Sequence, residues 1–229
     1  MQVWSWQGFF DYLLNPFLLE GALTTLWLTA ASLAAGLVLG ILIALMRLSG
    51  NRGLSGAAAF YCWVFRGTPL LVQLLIIYTG LPLFGIRFSV VQAALLGLSL
   101  NEAAYLSETV RAGILSVAKG QREAALALGL RRVQVFRLVV WPQALRLIIP
   151  PLGNSVNGLL KTTSVASVIS MEELLRRTQI LIQERFLVLE LFVVAAIYYL
   201  LMTSAWDMVQ RRLERRYGRG HGGEAAARR

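Results

Sequence analysis

The chain has 229 residues, of which 57% are hydrophobic and only 15% are charged, and its mean hydropathy is +0.62. Soluble domains are about 45–50% apolar and about 25% charged, so this composition argues against a soluble domain built on one large core. The net charge of +10 is compatible with nucleic-acid binding. However, the basic residues lie between apolar stretches and at the C-terminus, as they do in membrane proteins. We therefore expect a membrane protein with no nucleic-acid partner.

Five stretches are long and apolar enough to cross a bilayer as helices. They cover approximately residues 17–46, 57–81, 88–114, 147–169 and 186–208. The sequence therefore predicts an all-α membrane protein with about five transmembrane helices. We divide it into an N-terminal segment (residues 1–16), a transmembrane domain (residues 17–210) and a basic tail (residues 211–229).

The basic residues are unevenly divided between the two sides of these spans. Sixteen Lys and Arg residues fall on the side that holds the 115–146 connection and the C-terminal tail, and four fall on the other side. The positive-inside rule places the richer side in the cytoplasm. The N-terminal segment is then extracytoplasmic and the tail cytoplasmic, which agrees with an odd number of spans.

The connection of residues 115–146 has the pattern of two short amphipathic helices. Residues 123–128 favour a helix, and Gly129 suits the position after a helix end, where φ is positive. The second helix, over residues 133–140, is expected to stop or kink at Pro142. A short helix that protrudes from the membrane in this way can dock on a soluble partner. A plain connection between two spans is the alternative.

Several ionisable or polar groups lie inside the apolar spans or at their edges. They are Arg66, Thr68, Glu102, Glu108 and Lys161. Ionisable groups in a membrane are costly and usually face a cavity or a partner. Glu108 and Arg111 are three residues apart, so a structural ion pair on one helix face is predicted.

Two polar stretches interrupt the helical pattern at mid-membrane: Gly67-Thr68-Pro69 and Lys161-Thr162-Thr163-Ser164. Broken membrane helices leave backbone groups and dipole ends facing a cavity. The predicted substrate pathway comprises Arg66, Gly67, Thr68, Pro69, Asn154, Ser155, Lys161, Thr163 and Ser164. A simple proline kink is the alternative at Pro69, and hydrogen bonding between helices is the alternative for Asn154 and Ser155.

The sequence offers little for catalysis or for metal binding. Its single cysteine, Cys62, lies in an apolar stretch, and its single histidine, His221, lies in the Gly-rich tail. No catalytic residue, metal site or resident cofactor is expected. A Gly-x4-Gly-Lys-Ser/Thr phosphate loop is also missing from the sequence. ATP and Mg²⁺, if used, would therefore bind a partner subunit.

The residues Glu123, Ala124, Ala125 and Gly129 form the signature of inner-membrane subunits of ABC importers. Four further motifs resemble the permeases for polar amino acids, the family that serves histidine, glutamine, glutamate, arginine and opines. They begin at Arg66-Gly67-Thr68-Pro69, Ala104-Tyr105-Leu106-Ser107, Trp141-Pro142-Gln143-Ala144 and Leu159-Leu160-Lys161-Thr162. The resemblance extends over approximately residues 20–216.

This resemblance implies a type I importer fold in the bacterial inner membrane, surrounded by lipid. Two permease subunits, identical or related, would pair, and each would dock Glu123, Ala124, Ala125 and Gly129 on a dimer of ATP-hydrolysing subunits. An extracytoplasmic binding protein would deliver the amino acid. The alternative is a secondary carrier or channel that does not use ATP, but no internal repeat of the kind common in such carriers is visible.

The charge of the substrate can also be predicted from departures from the family pattern. Ser155 and Thr162 stand where many relatives have acidic residues, and Arg66 and Lys161 are the basic groups nearby. A cationic side chain would meet like charge in such a site. A neutral or acidic polar amino acid is therefore expected rather than arginine or lysine.

Overall fold

The computed structural model describes residues 4–217, and every regular element within them is helical. The α-helices are α1 (Trp6–Leu13), α2 (Pro16–Leu48), α3 (Arg52–Gly67), α4 (Leu70–Leu75), α5 (Val90–Leu115), α6 (Lys119–Ala127), α7 (Arg132–Val135), α8 (Trp141–Thr162), α9 (Leu174–Arg185) and α10 (Val188–Tyr217). Wider π-helical turns follow α4 (Ile76–Gly80) and α7 (Phe136–Val140), and tighter 3-10 segments cover Leu81–Phe84 and Thr163–Ile169. Residues 218–229, most of the predicted basic tail, lie outside the described residues.

Three helical segments are long and apolar enough to cross a membrane: α2, the segment Arg132–Ile169, and α10 over Val188–Arg215. A fourth candidate consists of α3 together with the helical stretch Leu70–Phe84, whose axes meet at 105°. The helix α5 has 26 residues, enough to span, although its charged residues lower its hydropathy. These segments correspond to the five predicted spans, and the all-α membrane fold is confirmed.

The helix at the end of the 115–146 connection does not stop at Pro142, which was one of the two outcomes predicted there. The helix α7, the π-helical turn and α8 form one continuous segment that runs to Ile169. In the π turn the Trp141 N–H reaches back five residues to the Phe136 carbonyl. This wider turn lies where a proline ring would otherwise meet the carbonyl of the preceding turn, so the helix continues through it. The connection is therefore shorter than predicted, and α7 forms the N-terminal end of the fourth span.

Small residues at every fourth position let α2 pack closely on α5. Ser32, Gly36, Gly40 and Ala44 are all buried. A Cβ atom at Gly40 would lie 3.0 Å from the Cβ atom of Leu106 on α5. Small faces of this kind bring membrane helices into direct backbone contact. The pair α2 and α5 forms the centre against which the other helices pack.

The short helices α1 and α9 pack against the ends of α2 and α10 on the side predicted to be extracytoplasmic. The Ser5 N–H donates to the Glu190 carboxylate at 2.7 Å, and the Tyr198 hydroxyl donates to the Leu13 carbonyl at 2.9 Å. Arg177 of α9 forms an ion pair with Glu20 of α2 at 2.6 Å. The N-terminal segment is thus attached to the helical bundle.

Glu173 caps α9 and is fully buried. Its carboxylate accepts hydrogen bonds from the Leu175 and Arg176 N–H groups at 2.9 and 2.7 Å, and from the Tyr199 hydroxyl at 2.9 Å. Burial raises the pKa of the Glu173 carboxyl group above its ordinary value, and these three hydrogen bonds oppose the shift only in part.

Candidate functional site

A sharp bend at Thr68 and Pro69 separates α3 from α4. Pro69 has no N–H group and so interrupts the helical hydrogen bonds. The side-chain amides of Gln73 and Asn101 donate hydrogen bonds to carbonyls at the bend. Gln73 Nε2 donates to the carbonyls of Phe65 and Thr68 at 2.9 and 3.1 Å, and Asn101 Nδ2 donates to the Phe65 carbonyl at 3.2 Å and to Gln73 Oε1 at 3.0 Å. The predicted interruption is confirmed, and it is a supported bend rather than a simple kink.

The second predicted interruption is much milder. At Thr163 the α-helix tightens into the 3-10 segment, and Arg132–Ile169 remains one continuous helical segment. The hydroxyl groups there bond to the local backbone: Thr163 donates to the Leu160 carbonyl at 2.9 Å and Ser164 to the Lys161 carbonyl at 2.6 Å. This region is a change of helix type and not a break.

A cavity of about 370 Å³ lies between the bend, α5 and α8. Its polar lining residues are Thr68, Asn101, Glu102, Tyr105, Ser155 and Thr162. Pockets for small molecules have volumes of about 300–1,000 Å³ and combine an apolar wall with a few convergent polar groups. The cavity therefore has the size and lining of a small-molecule site.

Glu102 is the lining side chain with the least satisfied polar group. The Ser155 side chain lies close to its carboxyl group, while Glu102 Oε1 is buried and has no hydrogen-bond partner among the described residues. Gly36 of α2 makes room for this side chain, because a Cβ atom there would lie 3.1 Å from the Glu102 Cβ atom. An ionisable group in such a position normally faces a ligand or a partner.

The structure brings three of the predicted pathway residues to this cavity: Thr68, Pro69 and Ser155. Gly67 ends α3 beside them and does not line the cavity. Arg66 turns instead to α5, where its guanidinium group lies 3.8 Å from the Glu108 carboxylate and 5.5 Å from the centre of the Tyr105 ring.

The remaining predicted pathway residues lie elsewhere. The Gln210 side chain of α10 donates to Asn154 Oδ1 at 3.1 Å, so Asn154 joins two helices. Lys161 and Ser164 line a separate pocket against α10, and Thr163 is fully buried. On α8, Ser155 faces the cavity whereas Asn154 faces α10.

The charges around the cavity differ from those assumed in the substrate prediction. Neither Arg66 nor Lys161 lines it, and Glu102 does. The predicted repulsion of a cationic side chain by these two basic groups is therefore not supported by the lining of this cavity. Glu102 was predicted to be an ionisable group inside a span, but it was not among the predicted pathway residues.

Three further cavity or bend residues were missed as site residues: Asn101, Tyr105 and Gln73. Each is polar or amphipathic within an apolar stretch, and Tyr105 and Gln73 belong to the family-like motifs. Their polar groups within apolar stretches could have identified them as candidate site residues. These residues come together because α5 packs beside the bend, and this contact between helices could not be predicted from the pattern of residues.

The predicted ion pair between Glu108 and Arg111 is confirmed, with a separation of 2.8 Å. Arg47 at the end of α2 also pairs with the same carboxylate. Together with Arg66, these arginines connect the ends of α2 and α3 to α5. Cys62 is buried nearby, with its Sγ atom 3.2 Å from Ser107 Oγ.

The predicted coupling segment, residues 123–129, forms a capped and largely exposed helix end. The Leu130 N–H donates to the Ala125 carbonyl at 3.2 Å and the Gly129 N–H to the Leu126 carbonyl at 2.9 Å, while Gly129 has φ +83°. This is the Schellman arrangement, which favours glycine because φ is positive. Ala125 is buried, whereas Glu123, Ala124 and Gly129 are exposed.

Within residues 4–217, no group of three or more His, Cys, Asp or Glu side chains is placed to hold a metal ion. A bent and broken span, a central cavity and an exposed capped helix define a helical membrane permease. Comparison with known proteins gives the family. Residues 36–219 match the family of inner-membrane components of binding-protein-dependent transport systems, and the chain belongs to this family.

Two curated relatives and one solved structure show how close the similarity is. The chain is 41% identical over 203 residues to the glutamine transport system permease protein of Escherichia coli K12, covering 88% of this chain and 93% of that protein. It is 37% identical over 233 residues to the arginine transport system permease protein of Corynebacterium glutamicum, covering 96% of this chain and 74% of that protein. A crystal structure of an amino acid ABC transporter with histidines superposes with a TM-score of 0.88 at 36% identity, covering 94% of this chain and all of that chain. The family supports the importer hypothesis over the secondary carrier.

Proposed function

We propose that the chain is the transmembrane subunit of an ATP-driven importer that carries a polar amino acid across the bacterial inner membrane. The observation that carries this proposal is the cavity beside the broken span, with one unsatisfied carboxyl group in a permease of this family. Relatives named for glutamine and arginine transport support an amino acid as the substrate.

In this proposal, Glu102 receives the α-ammonium group of the substrate. Every amino acid carries this group, and the unpaired Oε1 atom of Glu102 gains a charge-assisted hydrogen bond when it binds. The hydroxyl groups of Thr68, Ser155 and Thr162 then face the polar remainder of the molecule. With one acid and no Lys or Arg among the described lining residues, the cavity favours a neutral polar side chain.

ATP hydrolysis is coupled to this cavity through one rigid element. The exposed residues Glu123, Ala124 and Gly129 dock on an ATPase subunit that binds ATP and Mg²⁺, and α6 moves with it. The helix from α7 to Ile169 starts two residues after Leu130 and carries Ser155 and Thr162 in the cavity wall. A displacement of the docked loop is thereby transmitted to the substrate site.

The remaining partners follow from the same proposal. A second permease subunit, identical or related, pairs with this one, and a binding protein delivers substrate on the extracytoplasmic side. The side that holds the 115–146 connection is cytoplasmic and the N-terminus is extracytoplasmic, supported by the distribution of Lys and Arg residues.

Replacement of Glu102 tests the substrate site. Glu102→Gln keeps the shape and removes the charge, so we expect the KM for uptake by vesicles containing the whole complex to rise about tenfold or more, the size expected for one charged hydrogen bond. Glu184→Gln changes an exposed carboxylate of α9 and should leave the KM unchanged. Equal uptake kinetics in both variants would remove Glu102 from the site.

A further inference from the structure

A second and larger groove lies on a different face of α8 from the substrate cavity. Its volume is about 580 Å³, and it is bounded by α2, α8 and α10. Val156 and Leu160 of α8 form its floor, and the small side chains Ala30 and Ala205 lie on its two walls. Val156 and Ser155 are adjacent on one helix and point about 100° apart, so the two spaces lie on different faces of α8.

The groove offers apolar surface almost exclusively. Its few polar groups are turned to the backbone: the Thr29 hydroxyl donates to the Thr25 carbonyl at 2.8 Å, and Trp206 Nε1 donates to the Gly153 carbonyl at 2.8 Å. Water needs polar partners and leaves such a space dry. All three bounding helices are membrane-spanning candidates, so the surrounding medium is hydrocarbon.

Two arginines lie beyond the groove residues on α10 and α8, towards the end predicted to be cytoplasmic. Arg212 lies three residues beyond Val209 and seven beyond Ala205, on the same face of α10. Arg146 lies fourteen residues before Leu160, close to four turns along α8. Both side chains are exposed, and the ion pairs within residues 4–217 involve other arginines.

We propose that this groove is a binding site for one anionic phospholipid of the inner leaflet, with an acyl chain in the groove and the phosphate group between Arg146 and Arg212. The positive charges of Arg146 and Arg212 favour an anionic lipid over a neutral one. The cytoplasmic leaflet is anionic, and basic sites between membrane helices recognise acidic head groups. The inference uses the proposed orientation of the chain and is independent of transport activity.

Native mass spectrometry of the purified whole complex, with phosphatidylglycerol or phosphatidylcholine added, tests the site. Ala205→Trp fills the groove and should abolish retention of phosphatidylglycerol. Arg212→Gln should weaken its affinity about fivefold, the effect of one basic residue near the membrane surface. Arg212→Lys keeps the charge and should retain the lipid.

Matched controls separate this effect from a loss of folding. Ser204→Trp adds the same bulk one residue away, outside the groove, and Arg211→Gln removes a charge from another face of α10. Both should retain phosphatidylglycerol as the unmodified complex does.

Equal retention by all variants would overturn the proposal. So would a disulfide between two copies of Ala205→Cys, because a second permease would then occupy the groove. A complex that retains phosphatidylglycerol but takes up no amino acid would count against the importer proposal and not against the proposed lipid site.

Discussion

At the residue scale, the bend depends on two amide side chains that replace the missing helical donors. Gln73 is 7% exposed, and one nitrogen of its side chain serves two carbonyls and the Thr68 hydroxyl. An amide suits this position because it can donate to the freed carbonyls and accept from Asn101 at the same time. The bend is therefore held by side chains as well as by Pro69.

Gln73→Leu should destabilise the bend. The substitution leaves the Thr68 carbonyl without this donor and the Phe65 carbonyl with only Asn101, at a cost of about 1 kcal/mol for each lost hydrogen bond. We expect the purified complex to unfold at a lower temperature in a thermal scan. Gln183→Leu, at an exposed position of α9, is the control. The same unfolding temperature for both variants would show that the amide does not support the bend.

Glu173 makes stability depend on pH. Because burial raises the pKa of its carboxyl group, the folded protein holds a proton over a range where the unfolded chain has already released it. Stability contributed by this group is therefore full below the ordinary value of 4.5 and falls as pH rises through the raised pKa.

Glu173→Gln cannot titrate and should flatten this pH dependence. The measurement is the thermal midpoint of the purified complex over a pH series that starts near 4.5. Glu184→Gln, at an exposed carboxylate, should keep the slope of the unmodified protein. An unchanged slope in Glu173→Gln would assign the pH dependence to other groups.

At the element scale, the cap of α6 fixes the shape of the predicted docking helix. Gly129→Val should disturb it, because a β-branched residue tolerates positive φ badly. We expect less ATPase subunit to co-purify with the permease, or ATP hydrolysis to become uncoupled from uptake.

The matched control is Gly120→Val, since Gly120 lies within α6 without positive φ, and a Cβ atom there would meet open space. That variant should lose only a little helix stability. Normal assembly and transport with Gly129→Val would show that the capped end of α6 is not the docking contact.

The elements differ in how much of them the sequence could reveal. Long apolar runs with few charges predicted α2 and most of α10. Gly129 and Pro69 predicted the cap and the bend, since each acts through its own backbone. The passage of the helix through Pro142 could not be predicted, because it depends on the π turn of residues 136–140. The position of Glu102 was also hidden, since it depends on the close contact that Gly36 permits between α2 and α5.

At the scale of the whole molecule, the cavity and the docking helix lie at opposite ends of one continuous element. The segment Arg132–Ile169 begins beside the cap of α6 and passes the cavity at Ser155 and Thr162. The α2 and α5 pair holds the other wall, where Glu102 lies. In the proposed function, movement of the docked α6 reaches the substrate site through this segment.

The most direct test is uptake of a labelled polar amino acid, such as glutamine, into vesicles that contain the permease with its ATPase and binding protein. The account predicts uptake that requires both ATP and the binding protein, and that is lost when the ATPase subunit is omitted. Uptake that persists without ATP and follows an ion gradient would contradict it.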